Sequence, residues 1–187
     1  IDIWNEPQAE TPSFGPASQH RFQEWLRARF ASIDAYNAHT GQAEACFEDI
    51  RIPTSPAHFP KSLLHQQCIL DSLCEQMAAR SAIVREDGKG LLPHSHACGP
   101  GSSLMMTAAD DWAQAETCEF YGNSMHQTLN MLDGEYAKTR WCEFPMALDG
   151  IRSASPYPWV SQLRRRQQAT GLQGEFYKPE DYRHWIW

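Results

Sequence analysis

The sequence lacks a surplus of basic residues and any long uninterrupted run of apolar residues. Its 187 residues include 16 Lys and Arg against 23 Asp and Glu, which gives a formal net charge of −7. Nucleic acids and anionic membranes attract basic surfaces, so this balance argues against both as partners. No stretch reaches the roughly 18 apolar residues that a transmembrane helix requires. We therefore expect no binding to nucleic acid and no association with membranes.

The sequence also lacks cysteines at the spacing of a metal site. No two of its six cysteines form a Cys-x-x-Cys pair, and no Cys/His group has the usual zinc spacing. The nearest approach is His94, His96 and Cys98, which alternate as residues of a strand or loop would. We predict no metal and no cofactor. Scattered cysteines in a chain of this length favour the reducing cytoplasm; they are Cys46, Cys68, Cys74, Cys98, Cys118 and Cys142.

Apolar and charged residues are present at the levels of a globular protein, 42% and 21%. Periodicity divides the chain into alternating strands and helices. The predicted order is a strand at 1–5, a helix at 19–37, a helix at 62–86, a strand at 91–97, a helical turn at 110–116, a strand at 117–122, a helix at 133–142, a strand at 157–163 and a helix beginning at Pro179. This alternation predicts a parallel α/β fold.

Polar residues follow the predicted strands at the point where each strand ends. In a (β/α)8 barrel, the carboxyl ends of the strands carry the active site. A complete barrel needs about 250 residues, whereas this sequence has four predicted strands. The first residues already lie in a strand pattern, and the last lie in the middle of a helical pattern. We therefore expect residues 1–187 to form one partial TIM-barrel domain that is truncated at both ends.

Six segments, in order, resemble glycoside hydrolase family 42, the β-galactosidases of clan A. They are WNEPQ (4–8), RFQEWLRARFASIDAYNAHTG (21–41), LLPHSHA (91–97), DDWAQAETCEFYGNSMH (110–126), YPWVSQL (157–163) and PEDYRHWIW (179–187). The resemblance covers nearly the whole chain. It implies a TIM barrel that hydrolyses terminal β-D-galactosides with retention, in carbohydrate metabolism. By analogy with the family it also implies a homo-oligomer, a trimer.

The resemblance places Glu6 at the general acid/base and Asn5 at the neighbouring sugar contact, with Trp4 beside them. A retaining glycosidase needs such an acid to protonate the leaving oxygen, and a second carboxylate as the nucleophile. WNEP also begins the acid/base strand of endo-acting cellulases and mannanases of the same clan. An endo-acting hydrolase therefore remains an alternative.

The position of the family's nucleophile is occupied by Gln162. Glutamine has the shape of glutamate but cannot act as an anionic nucleophile. Glu175 is a second candidate, although it lies in a polar, glycine-containing stretch that predicts a loop. The sequence thus leaves two alternatives open: a hydrolase with Glu6 as its acid, and a non-catalytic carbohydrate-binding relative or inactive fragment.

Further polar residues match sugar-binding positions of the family. Each is more often a core or loop residue when taken alone, but as a set at strand ends they favour a sugar site: His94, His96, Tyr121, Ser124 and His126. Two features depart from the family. TPSFGPASQHRF (11–22) has none of the cysteines that bind structural zinc in many members, so we predict no zinc there. Arg164–Arg166 would crowd a neutral sugar if they faced the cleft.

Overall fold

Four strands and five α-helices are present in the described residues of the computed structural model, which are 1–9, 13–55, 57–97, 107–127 and 143–165. In chain order the elements are β1 (Asp2–Asn5), α1 (Pro16–Arg29), α2 (Ile33–Thr40), a 3-10 helix (Phe47–Asp49), α3 (Phe59–Asp87), β2 (His94–Ala97), α4 (Asp111–Ala115), β3 (Phe120–Gln127), α5 (Glu143–Ala154) and β4 (Pro158–Arg165). Among these helices, none is both long and apolar enough to span a membrane.

The four strands form one parallel sheet in the order β1-β2-β3-β4. Parallel neighbours need a crossover connection, and each of these connections contains at least one helix. The parallel α/β class predicted from the sequence is therefore confirmed. Two compact units divide the chain: unit 1 comprises Ile1–Pro7, Gln76–Ser102 and Asp111–Trp187, and unit 2 comprises Gln8–Glu75 and Ser103–Asp110.

One face of the sheet in unit 1 packs against helices. Alternation along a strand places Ser95, Ala97 and Tyr121 on this face, because neighbouring parallel residues in register share a side. The buried cluster there draws one residue from each of three helices, and its members are Met77, Ala97, Ala115, Tyr121 and Ile151, with Ile3, Trp4, Cys118 and Ala154 packed around them. Burial of this apolar surface stabilises the sheet in unit 1.

The opposite face of the sheet carries polar side chains of the same strands. His94, His96 and Ser124 lie on it by alternation, and Asn5 is in register with His96. The β1–β2 register shifts between Asp2 and Trp4, so that two residues of β1 correspond to one of β2. Such an irregularity resets the alternation of side chains. Asp2 and Asn5 consequently share the polar face, whereas Trp4 lies on the helix-packed face.

Two helices differ from the sequence prediction. The predicted helix over 19–37 is two helices, α1 and α2, because the Ser32 hydroxyl caps α2 by accepting a hydrogen bond from the Ala35 N–H. The predicted helix over 133–142 lies outside the described residues, as does the one beginning at Pro179. Helix α5, which follows at Glu143–Ala154, was not predicted.

Unit 2 has its own core, which is rich in aromatic side chains. Its buried members are Phe22, Trp25, Leu26, Tyr36, Ile50, Ile52, Leu64 and Cys68. The Trp25 indole donates to Asp71 Oδ2 at 2.7 Å, which joins α1 to α3. The side chains of Gln19 and Gln23 both donate to the carbonyl oxygen of Ile50. These hydrogen bonds fix α1 against the segment after the 3-10 helix.

We predict that Leu26→Ala destabilises the protein by about 2–5 kcal/mol, since it leaves a cavity in the core of unit 2. Leu26 is fully buried, whereas Leu91 is 53% exposed. Leu91→Ala is the matched control and should change the free energy of unfolding by less than about 0.5 kcal/mol. Urea unfolding followed by circular dichroism measures both. Equal losses from the two variants would contradict the assignment of Leu26 to a core.

Candidate functional site

The Asn5-Glu6-Pro7 segment leaves the sheet through an uncommon backbone conformation. Strand β1 ends at Asn5, and Glu6 has a φ of 51°, in the left-handed region that residues other than glycine seldom adopt. Conformations of this kind cost about 1–3 kcal/mol each and cluster at functional sites. Asn5 is exposed, Glu6 is half-buried and Pro7 is buried. The glutamate that the sequence indicates as acid/base therefore lies at the carboxyl edge of the sheet on a constrained turn.

A buried chain of polar groups holds the backbone after Glu6. The Gln114 side-chain amide donates to the Pro7 carbonyl oxygen at 2.6 Å. The Tyr121 hydroxyl lies 3.3 Å from Gln114 Oε1 and 3.2 Å from Asp111 Oδ1, and it donates its one proton between them. Gln114 and Tyr121 are each 1% exposed. Buried hydrogen bonds of this kind are costly to leave unmade. These hydrogen-bonded side chains therefore fix the position of Pro7 and thus of the turn.

Two of the residues predicted to bind sugar lie on the helix-packed face. The Trp4 ring lies under the Arg80 guanidinium, whose central carbon is 4.0 Å from the ring centroid. Arg80 also donates to the Ile3 carbonyl oxygen at 3.1 Å. Tyr121 is in the buried cluster, and its hydroxyl contacts the side chains of Asp111 and Gln114 on α4. Their contacts are those of core and supporting residues, and the sugar-binding roles of Trp4 and Tyr121 stay predictions.

The polar face gathers Asn5, His94, His96 and Ser124, all of which the sequence indicated. His96 and Ser124 are buried, and His94 is half-buried. Burial lowers the pKa of His94 below its ordinary value of 6.5, so this imidazole is neutral at pH 7. Within the described part of the chain, the Ser124 hydroxyl has no hydrogen-bond partner. This face therefore offers several polar groups, of which His96 and Ser124 are shielded from solvent.

The nucleophile position is described only through its backbone. Gln162 is in β4 and in register with Ser124 of β3, just after a shift in register between Asn123 and Ser124. His126 is in register with Arg164, and Arg165 is the last residue of β4. The side chains of His126 and Gln162, and the whole of Glu175 and Arg166, lie outside the described part of the structure. The choice between Gln162 and Glu175 stays a prediction.

Sequence reasoning missed three residues that the geometry makes prominent: Asp2, Asp111 and Gln114. DDWAQAE signalled only a helical turn, because a single turn has no periodicity that assigns each position to a face. The carboxylate of Asp2 comes close to His96, 4.0 Å from its Nδ1, only through the pairing of β1 with β2. His-x-His was a signal for β2, but nothing local in the sequence linked it to Asp2.

Comparison with solved structures identifies the fold as that of β-galactosidases. The chain is 17% identical to the β-galactosidase of the psychrophilic Marinomonas ef1, with a TM-score of 0.67 over 80% of this chain and 25% of that one. The cold-adapted β-galactosidase of Rahnella sp. R3 is 13% identical, with a TM-score of 0.69 over 90% of this chain and 25% of that one. The β-galactosidase of the Antarctic haloarchaeon Halorubrum lacusprofundi is 19% identical, with a TM-score of 0.57 over 76% of this chain and 21% of that one.

At these identities the likeness establishes the fold alone. The α/β chain therefore has the fold of part of a TIM-barrel β-galactosidase, and it spans about a quarter of the length of the first two relatives. No family model matches the chain, and no curated protein matches it.

We predict that Tyr121→Phe lowers stability by about 1–3 kcal/mol, because it removes a buried donor and leaves the oxygens of Asp111 and Gln114 without it. Tyr157 is 61% exposed, so Tyr157→Phe should change stability by less than about 0.5 kcal/mol. Urea unfolding of both variants tests this. A Tyr121→Phe variant of unchanged stability that has lost sugar affinity would instead support a direct contact with the sugar.

Proposed function

We propose that this protein is a carbohydrate-active protein of the β-galactosidase type, with its sugar site at the carboxyl edge of the parallel sheet. The observation that carries the proposal is the position of Glu6, directly after β1, on a left-handed turn held by Gln114. Active sites of TIM barrels are built at this edge. The assignment to glycoside hydrolase family 42 rests on the six segments that resemble it.

In the proposed hydrolysis Glu6 protonates the glycosidic oxygen as the aglycone leaves, and later deprotonates the attacking water. Asn5 is exposed at the same end of the strand, where its amide can contact a hydroxyl of the sugar beside the scissile bond. His96 is in register with Asn5 and adds a ring nitrogen on the same face. A neutral His94 neither attracts nor repels charge, which suits a neutral galactoside.

A second candidate function is carbohydrate binding without turnover, and Gln162 favours it. Retaining hydrolysis requires a carboxylate that forms a glycosyl ester, and an amide cannot form that ester. If Gln162 occupies the nucleophile position, the sugar still binds but the covalent step fails. If Glu175 occupies it, the hydrolase is complete. By the same resemblance we propose a trimer, and from the scattered cysteines we propose a cytoplasmic location.

We predict that Glu6→Gln lowers the rate of galactoside hydrolysis by about 10²–10⁴-fold, the usual contribution of a general acid. The loss should be larger for an alkyl galactoside than for a nitrophenyl galactoside, because a poor leaving group depends more on protonation. Glu86, which is exposed on α3, provides the control Glu86→Gln with unchanged rates. An active wild-type protein whose Glu6→Gln variant keeps full activity on both substrates would overturn the role of Glu6.

A gain of function distinguishes the two candidates. If the protein binds galactose but does not turn over, Gln162→Glu should raise nitrophenyl galactoside hydrolysis by at least about tenfold, a barrier change of about 1.4 kcal/mol. Gln76→Glu, at an exposed position of α3, is the matched control and should have no effect. A wild-type protein that already hydrolyses the substrate rules out the binding-only function. Absence of both hydrolysis and galactose binding rules out both candidates.

A further inference from the structure

Three side chains of metal-ligating type meet on the polar face of the sheet. Asp2 of β1 and His94 and His96 of β2 each present one ligand atom, and these atoms all lie within 4.8 Å of one another. His96 Nδ1 and Asp2 Oδ2 are 4.0 Å apart. We call these residues the Asp2–His cluster. It lies wholly within unit 1.

The sheet itself brings the cluster together. His94 and His96 are two positions apart on β2, so both imidazoles lie on the same face, and the two Cα atoms are about 6.6 Å apart along the strand. Asp2 is in register with His94. The register shift after Asp2 keeps its carboxylate on the histidine face while Trp4 turns to the helices. Three separate backbone features thus converge on one point.

Two imidazoles and one carboxylate form a ligand set typical of zinc and other first-row divalent ions, with at least one coordination position left open. A tetrahedral ion with bonds of about 2.0–2.1 Å places its ligand atoms about 3.4 Å apart. Distances of up to 4.8 Å therefore need to shorten by little more than 1 Å. The Asp2 side chain is 39% exposed and can make this movement.

The surroundings of the cluster suit a metal ion. The backbone N–H of Trp4 donates to Asp2 Oδ1 at 3.2 Å. This hydrogen bond orients the carboxylate and leaves Oδ2 as the oxygen that faces His96. Carboxylate ligands in metal sites are commonly oriented by such a second hydrogen bond. His96 is 1% exposed, which limits competition from water.

A simple ion pair explains the same geometry less well. The 4.0 Å between Asp2 Oδ2 and His96 Nδ1 is too long for a hydrogen bond. A cation between the three atoms uses all of them and removes the need for a charged imidazole.

We propose that Asp2, His94 and His96 bind one divalent transition-metal ion, zinc or a chemically similar one. The sequence alone predicted no metal, because Asp2 joins the histidines only through strand pairing. Cys98, which follows the His-x-His pattern, lies outside the described residues and is not part of the proposed site. The proposal does not depend on the proposed glycoside chemistry.

The test is a titration of chelator-treated protein with Co²⁺, followed by visible absorption, and with Zn²⁺, followed by calorimetry. We expect one equivalent of each ion to bind. Asp2→Asn and His94→Gln should each weaken binding by at least about tenfold, the lower end of the cost of losing even a supporting group of a metal site. His58 is exposed in unit 2, and His58→Gln should bind as the wild type does.

Three results would overturn the proposal: no uptake by the wild type, unchanged affinity in Asp2→Asn, or a reduced stoichiometry in His58→Gln, which would indicate scattered surface binding. Far-ultraviolet circular dichroism reports whether each variant is folded. Asp2→Asn is isosteric at a partly exposed position, so it decides the question even if His94→Gln does not fold. Since the readout is metal uptake, failure of this proposal leaves the galactoside assays unaffected.

Discussion

In the parallel pairing of β1 with β2, two residues of β1 correspond to one of β2 between Asp2 and Trp4. Side chains alternate between the two faces of a sheet with a period of two. One extra residue in a strand therefore moves every later side chain of that strand to the opposite face. Trp4 is thereby placed against Arg80 in the apolar cluster, while Asp2 and Asn5 both lie with the histidines. Both the proposed sugar site and the Asp2–His cluster depend on this single irregularity.

The turn at Glu6 illustrates how the core supports a strained site. A left-handed glutamate costs free energy, and the surroundings must offset this cost if the turn is to persist. The offset comes from the Tyr121–Gln114–Pro7 chain of hydrogen bonds, which is buried and so is worth more than it would be in water. Tyr121 therefore affects Glu6 through the backbone. A tyrosine predicted to touch the sugar has, in its observed contacts, the geometry of a positioning residue.

The features predicted well from the sequence are those that local periodicity encodes. The alternation of strands and helices gave the parallel α/β class, and the predicted helix at 62–86 lies within α3 (Phe59–Asp87). The break between α1 and α2 was missed because one cap, Ser32, overrides a continuous apolar pattern. The face of Trp4 could not be derived, since it depends on the register between β1 and β2, which are about 90 residues apart in the chain. The face of Tyr121 depends on the pairing of β3 with β2, which the local sequence does not encode either. The same long-range pairing hid Asp2.

The two proposed sites are neighbours on one face, and their spacing limits what each can do for the other. With a rise of about 3.3 Å per residue, an ion between the levels of His94 and His96 lies roughly two residues, about 7 Å, before the level of Glu6 along the strands. A metal acts on atoms that it coordinates. At that distance the ion therefore cannot take over the role of the carboxylate that is missing if Gln162 occupies the nucleophile position. It can hold Asp2 and both histidines in fixed positions. The face that presents Asn5 would then be rigid, which favours sugar binding whether or not a covalent step follows.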